Sequence, residues 1–152
     1  MAKATPKTKA WRSCARYCKV RGCLRDRGVP YLGICVTCGK PYHIAYLEAG
    51  HAISGRRNAV LFDIEIIDTQ CSYCNQVLHG RQQRYREILA QRHGPEWMEN
   101  RLRRAKRVIK DNQIDFEKLQ LGFDRMYKKA MQGRGIRTWS QLLQEGRPQR
   151  RC

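Results

Sequence analysis

Residues 35–51 read CVTCGKPYHIAYLEAGH and residues 70–80 read QCSYCNQVLHG, two Cys-x-x-Cys knuckles (Cys35/Cys38 and Cys71/Cys74) around His51. Together the knuckles supply four thiolates, and a structural Zn²⁺ takes four ligands in a closed tetrahedral cage. The expected ion is a staple, not a reaction centre. It would tie the strands on either side of His51 to the start of a helix carrying Asn75 and His79. An imidazole and two side chains able to bind a metal or a phosphate would then converge beside a fixed scaffold.

The other four cysteines read differently. Cys14 and Cys18 are spaced i, i+4 behind Trp11 and act as small core hydrophobes, as Cys does when buried. A second metal site from Cys14, Cys18 and Cys23 lacks an evident fourth ligand nearby. Cys152 is a tail thiol without an assigned role. A basic chain with paired knuckles and no apolar signal core points to zinc and a reducing compartment rather than to a disulfide framework.

Around this centre the charge is lopsided, with 31 Lys and Arg against 13 Asp and Glu, a formal net of +18 over 152 residues. Such an excess says nothing about fold but names partners: polyanions, chiefly nucleic acid. A membrane surface competes poorly, since the sequence has no long apolar run and its basic residues lack a matching apolar face. The expectation is a soluble protein of the cytoplasm.

The organisation follows from pattern and punctuation. Residues 1–10 read as a disordered basic arm. A helix is expected from Trp11 to Arg25, ended by the Gly28-Val29-Pro30 turn. Strands are expected over Tyr42–Leu47 and Ala59–Ile67, joined by Ser54-Gly55-Arg56-Arg57-Asn58, with His51 at or just after the end of the first. A helix should run from Asn75 to His93, where Gly94 stops it and Pro95 opens the next. That next helix, to about Lys110, is densely basic. A further helix over 113–131 sets Phe116, Leu119, Phe123, Met126 and Ala130 on one stripe, so the two read as an antiparallel hairpin or a dimerisation element. A short helix covers Trp139–Gln144. The expected divisions are 1–10, a zinc-stabilised core with its N-terminal helix over 11–94, a helical extension over 95–145 and a basic tail over 146–152. The fold class is α+β.

Three features go beyond a zinc-stapled module. His51 follows Gly50, and an imidazole titrates near neutrality, so it can take a proton from water beside a phosphodiester. Asn75 and His79 lie four apart at a helix start, within reach of one ion or one phosphate. A helix N-terminus itself favours phosphate through its free N–H groups.

Knuckle, Ala49-Gly50-His51, and a second knuckle followed at once by Asn75 and Gln76 resemble the HNH, or ββα-metal, endonucleases. The pattern is more closely similar to the lambdoid phage NinG/Rap recombination nucleases, which share C-x-x-C-G, A-G-H and Q-C-x-x-C-N-Q. It also looks like phage endonuclease VII, a Holliday-junction resolvase. The resemblance implies a zinc-stapled ββα-metal core and metal-dependent cutting of branched recombination intermediates (Holliday junctions or D-loops), in the host cytoplasm. It makes His51 the general base, and Asn75 and His79 ligands of a catalytic Mg²⁺ or Mn²⁺ or contacts to the phosphate. Two positions depart from the HNH pattern: Gly50 replaces the usual metal-binding residue before the base, and Ile66 the usual mid-strand Asn. A second ligand then falls to Glu48, Asp63 or Glu65. Arg56, Arg57, Arg101, Arg103, Arg104, Lys106, Arg107 and Lys110 are the expected DNA contacts. Symmetric cutting of a junction needs two active sites, so a homodimer through the C-terminal helices is expected. The rival reading is a non-catalytic zinc module that binds nucleic acid, which explains charge and zinc but not His51, Asn75 and His79.

Overall fold

The architecture is built around its first helix, α1 (Pro6–Arg27), in a computed structural model that describes residues 3–54 and 57–147. The expected DNA contact Arg56 and the tail from residue 148, with Cys152, lie outside the described residues. Thr5 caps α1 by accepting from the Thr8 N–H at 3.2 Å, Pro6 opens it, and Gly28 closes it in the left-handed conformation. These are favourable start and stop chemistries. Residues 6–10, expected within a disordered arm, are therefore helical: a Thr-Pro start supplies the nucleus that composition alone concealed.

Two antiparallel strand pairs lie against α1. Strand β1 (Leu32–Ile34) pairs with β2 (Pro41–His43), and the first knuckle is the loop between them. Strand β3 (Leu47–His51) pairs with β4 (Ile67–Cys71), Leu47 opposite Cys71 and His51 opposite Ile67. The expected strand over Tyr42–Leu47 is thus divided, with a 3-10 turn at Ile44–Tyr46 between β2 and β3. The expected strand over Ala59–Ile67 is a short helix, α2 (Asn58–Leu61), and a 3-10 turn at Ile64–Ile66 before β4 begins. Ala59, Val60 and Leu61 are all buried, and an unbroken apolar run has no period to separate helix from strand.

Past the second knuckle the chain makes a π-type turn at Tyr73–Val77 and a 3-10 turn at His79–Arg81 before α3 (Gln82–His93) starts. The single helix expected from Asn75 is broken because His79, Gly80 and Arg81 take positive φ of 50°, 78° and 45° in succession. Only Gly80 does so without strain. Helix α4 (Pro95–Ala105) ends five residues short of Lys110, and α5 (Phe116–Met131) packs along α1 while α4 packs on α3 and α2. An α4–α5 hairpin does not form; α5 packs along α1 instead, with Phe116 and Phe123 of its stripe against Phe62 and Met126 left exposed. The last helix is α6 (Trp139–Gln144), as expected.

Helix α1 separates two cores. Cys14 and Cys18 pack with Ile66, Ile67, Tyr85, Leu89 and Phe123 in one, while Val20 and Cys23 pack with Ile44, Leu47, Met131 and Leu142 in the other. Polar ties fix the strands to the helix. The buried Asp68 accepts from both arms of Arg25 at 2.8 and 3.1 Å and from Arg92 at 3.3 Å. Arg21 donates to the carbonyls of Ile64 and Ile67 at 2.8 and 2.7 Å. A buried carboxylate with two guanidinium partners avoids the penalty of an unpaired charge.

Candidate active site

The four knuckle sulfurs lie within 4.8 Å of one another. Zn–S bonds of about 2.3 Å in a tetrahedron need sulfurs roughly 3.8 Å apart, so the donor set and spacing fit a Zn²⁺ held by Cys35, Cys38, Cys71 and Cys74. Local hydrogen bonds favour the thiolate at Cys35, whereas burial raises the thiols of Cys38 and Cys74. Burial raises the Cys35 thiol, but the Thr37 hydroxyl, 3.4 Å from the sulfur, and the N–H groups of Cys71, Cys38 and Thr37 outweigh it and bring it down to about 6. The Cys74 N–H points to the Cys71 sulfur at 3.5 Å. Cys14 and Cys18, expected as core hydrophobes, are fully buried in the apolar cores, and so is Cys23, whose thiol burial pushes up to about 12.

Beside this cluster a cleft of about 600 Å³ is lined by His51, Asn75 and His79 together with Trp11, Lys19 and Glu48. His51 ends β3 and is held on two sides. The Trp11 ring of α1 stacks on it with centroids 4.8 Å apart, and its Nε2 lies 3.0 Å from the Leu61 carbonyl oxygen. A carbonyl only accepts, so Nε2 carries the proton and the imidazole lone pair sits on Nδ1. The backbone beneath it is pinned from α3: Gln82 donates to the His51 carbonyl at 2.7 Å and the Tyr85 hydroxyl to the Gly50 carbonyl at 3.2 Å.

Gly50 has a packing role in this arrangement. Its φ is ordinary, but an added Cβ would fall 1.9 Å from the Gln70 Oε1 and 2.7 Å from the Cδ. Gln70 is fully buried and cannot swing away, because its Nε2 donates to the Thr37 hydroxyl at 3.1 Å and to the Gly80 carbonyl at 2.9 Å. One buried amide thus joins the first knuckle, β3 and the turn ahead of α3. Gly50→Ala is expected to cost about 1–3 kcal/mol as an overpacking change, read as a lower urea midpoint in zinc-loaded protein. An unchanged midpoint would show that Gln70 is not locked.

Across the cleft, Asn75 donates its amide N–H to Glu48 at 2.5 Å, and Gln76 donates to the other oxygen of the same carboxylate. The Asn75 oxygen is therefore the atom it can offer a cation. His79 is exposed at the edge of the cleft. Lys19 faces the same space; burial lowers its pKa, while Cys23 and Glu48 act in the opposite sense. Of the three carboxylates considered as further ligands, only Glu48 lines the cleft. Asp63 and Glu65 are bound by Arg101 of α4, at 3.0 Å for Asp63. Arg101 is in turn stacked over Trp97 at 4.8 Å, so this cation is engaged inside the protein. Arg57, Arg103, Arg104, Lys106, Arg107 and Lys110 are exposed. Among the described residues, the four-cysteine cluster is the one group of three or more His, Cys, Asp or Glu side chains close enough to hold a metal by themselves.

Sequence reasoning missed Trp11 and Lys19 as cleft residues, although with Ala15 they recur every four residues, the mark of one helix face. It also missed the packing role of Gln70, which the sequence shows only as the first residue of the Q-C-x-x-C-N-Q pattern, and it missed Gln82, for which no sequence signal exists.

Among the described residues no helix is long and apolar enough to cross a membrane. A family model described as Bacteriophage Lambda NinG protein matches residues 6–130. No curated protein and no solved structure matches the chain.

Proposed function

The chain belongs to the NinG family of bacteriophage lambda recombination proteins, and from that premise we propose that it is a structure-specific, HNH-type endonuclease cutting branched DNA such as Holliday junctions or D-loops. The observation that carries the reading is one cleft, beside a zinc-competent four-cysteine cluster, lined by His51, Glu48, Asn75 and His79. In this reading His51 is the general base. Its Nε2–H is spent on the Leu61 carbonyl, so Nδ1 takes the proton from the attacking water. Trp11 holds the imidazole plane, and Lys19 offers a positive charge to the phosphate.

Glu48, the Asn75 oxygen and His79 would hold a divalent ion, Mg²⁺ or Mn²⁺, with water and phosphate oxygens filling the remaining positions. Mg²⁺ commonly binds through few protein ligands. Bound there, the ion supplies Lewis-acid stabilisation of the leaving oxygen. Glu48→Gln is expected to reduce cutting by about 10²-fold and to raise the metal concentration needed for half-maximal rate. A variant with unchanged metal dependence would remove Glu48 from the ligand set.

The exposed arginines and lysines hold the DNA backbone without reading bases, and a homodimer presents two clefts to a symmetric junction. The test is incubation of the zinc-loaded protein with four-way junction DNA in Mg²⁺ or Mn²⁺. Paired nicks near the branch support the proposal. Tight binding without nicks in either metal would leave a non-catalytic nucleic-acid-binding module.

A further inference from the structure

Away from the cleft, four cations from three separate stretches of chain gather around one hollow. Lys7 of α1, Arg57 ahead of α2, and Lys106 and Arg107 beyond α4 line a space of about 500 Å³ with Asn58 and Asp111. Like charges repel, and one carboxylate offsets only one of the four. Asp111 accepts from Lys7 at 2.9 Å and from Asn58 at 2.6 Å. The hollow therefore keeps an unmet preference for anions.

Its position gives that anion an identity. Lys7, Trp11, Ala15 and Lys19 recur at four-residue steps, so each is the neighbour of the next along a slowly winding row on α1. The last three line the cleft of His51, and Lys7 lines the hollow. At 1.5 Å of rise per residue, Lys7 stands about 6 Å beyond Trp11 along the helix. A duplex strand carries one phosphate per roughly 3.4 Å of axis, so this step spans one or two phosphates. We infer that the Lys7–Arg57–Lys106–Arg107 hollow is a second phosphate seat, taking the DNA backbone one or two nucleotides from the bond that lies against His51. This rests on the nuclease reading for its register but not for its ligand chemistry. In it Asp111 is a built-in competitor of the phosphate, occupying Lys7 until DNA arrives.

The experiment uses the full-length, zinc-loaded protein with two variants, Lys7→Ala/Arg107→Ala and Asp111→Asn. Duplex and junction DNA carry a single neutral methylphosphonate linkage moved one position at a time through the cut site. In binding by fluorescence anisotropy, the double variant is expected to flatten the slope of log affinity against log salt by about two. Asp111→Asn should tighten binding several-fold. In cutting, one neutral linkage one or two nucleotides from the nick should slow the parent and have no further effect in the double variant. A salt slope equal to the parent's overturns the seat, and so does interference at that linkage that persists undiminished in the double variant. If the double variant fails to fold, the Asp111→Asn arm decides, because unchanged or weaker binding overturns the proposal. If the parent cuts nothing while the slope still falls by about two, the nuclease reading fails and the phosphate seat stands.

Discussion

His51→Ala is expected to lower the rate of junction cutting by about 10²–10⁴-fold, the usual worth of a positioned general base, while leaving junction affinity within about twofold of the parent. The split between rate and affinity follows from geometry. His51 contributes one half-buried ring to the cleft, and that ring is stacked on Trp11 and bonded to the Leu61 carbonyl within the protein. Removing it deletes a proton acceptor but none of the exposed cations that hold DNA. Initial rates on four-way junction DNA, with affinity measured separately in Ca²⁺, give the two numbers. Cutting retained within about tenfold would mean that the proton goes elsewhere, and Glu48 would become the first alternative. A fall in affinity matching the fall in rate would point instead to a collapsed cleft.

Cys71→Ser is expected to be the most damaging change to the fold. Structural zinc in small domains is worth roughly 10–16 kcal/mol of apparent binding free energy, comparable with the whole stability of a typical domain at about 5–15 kcal/mol. Cys71 ends β4 opposite Leu47, and the turn bearing Asn75 begins two residues later. Losing this ligand therefore frees the strand pair and one wall of the cleft together. Metal analysis should find about one zinc per chain in the parent and far less in the variant, with cooperative thermal unfolding lost. Cys18→Ala is the control. That sulfur lies in an apolar core on α1, so zinc should be retained while stability falls by about 1–2 kcal/mol. Full zinc in Cys71→Ser, or zinc lost on replacing Cys18, would reassign the metal.

These two expectations rest on residues that were legible without coordinates. Spacing alone identified the four knuckle thiols, and of the two histidines between the knuckles His51 stood out as the one that follows a glycine. The illegible parts share a cause: they depend on which element meets which. The stripe on α5 fits any apolar partner, and only packing reveals that the helix runs along α1 with Phe116 and Phe123 against Phe62. Arg101 looks like its exposed neighbours Arg103 and Arg104 until Asp63 and Glu65 are brought to it by the turn before β4. In the sequence Gly50 is only the residue before His51, whereas its lack of a side chain makes room for Gln70, twenty residues away. The broken helix start at His79–Arg81 was hidden because two of its three left-handed residues are not glycine.

The stacking of Trp11 on His51 carries an implication for the order in which the molecule becomes competent. Helix α1 is synthesised long before α5, yet α5 packs along it. Contacts between such distant segments form late, because a long loop must close before they are gained. A nascent chain that has already gathered its four thiols therefore still lacks the helix that packs along α1, the element whose Trp11 stacks on His51.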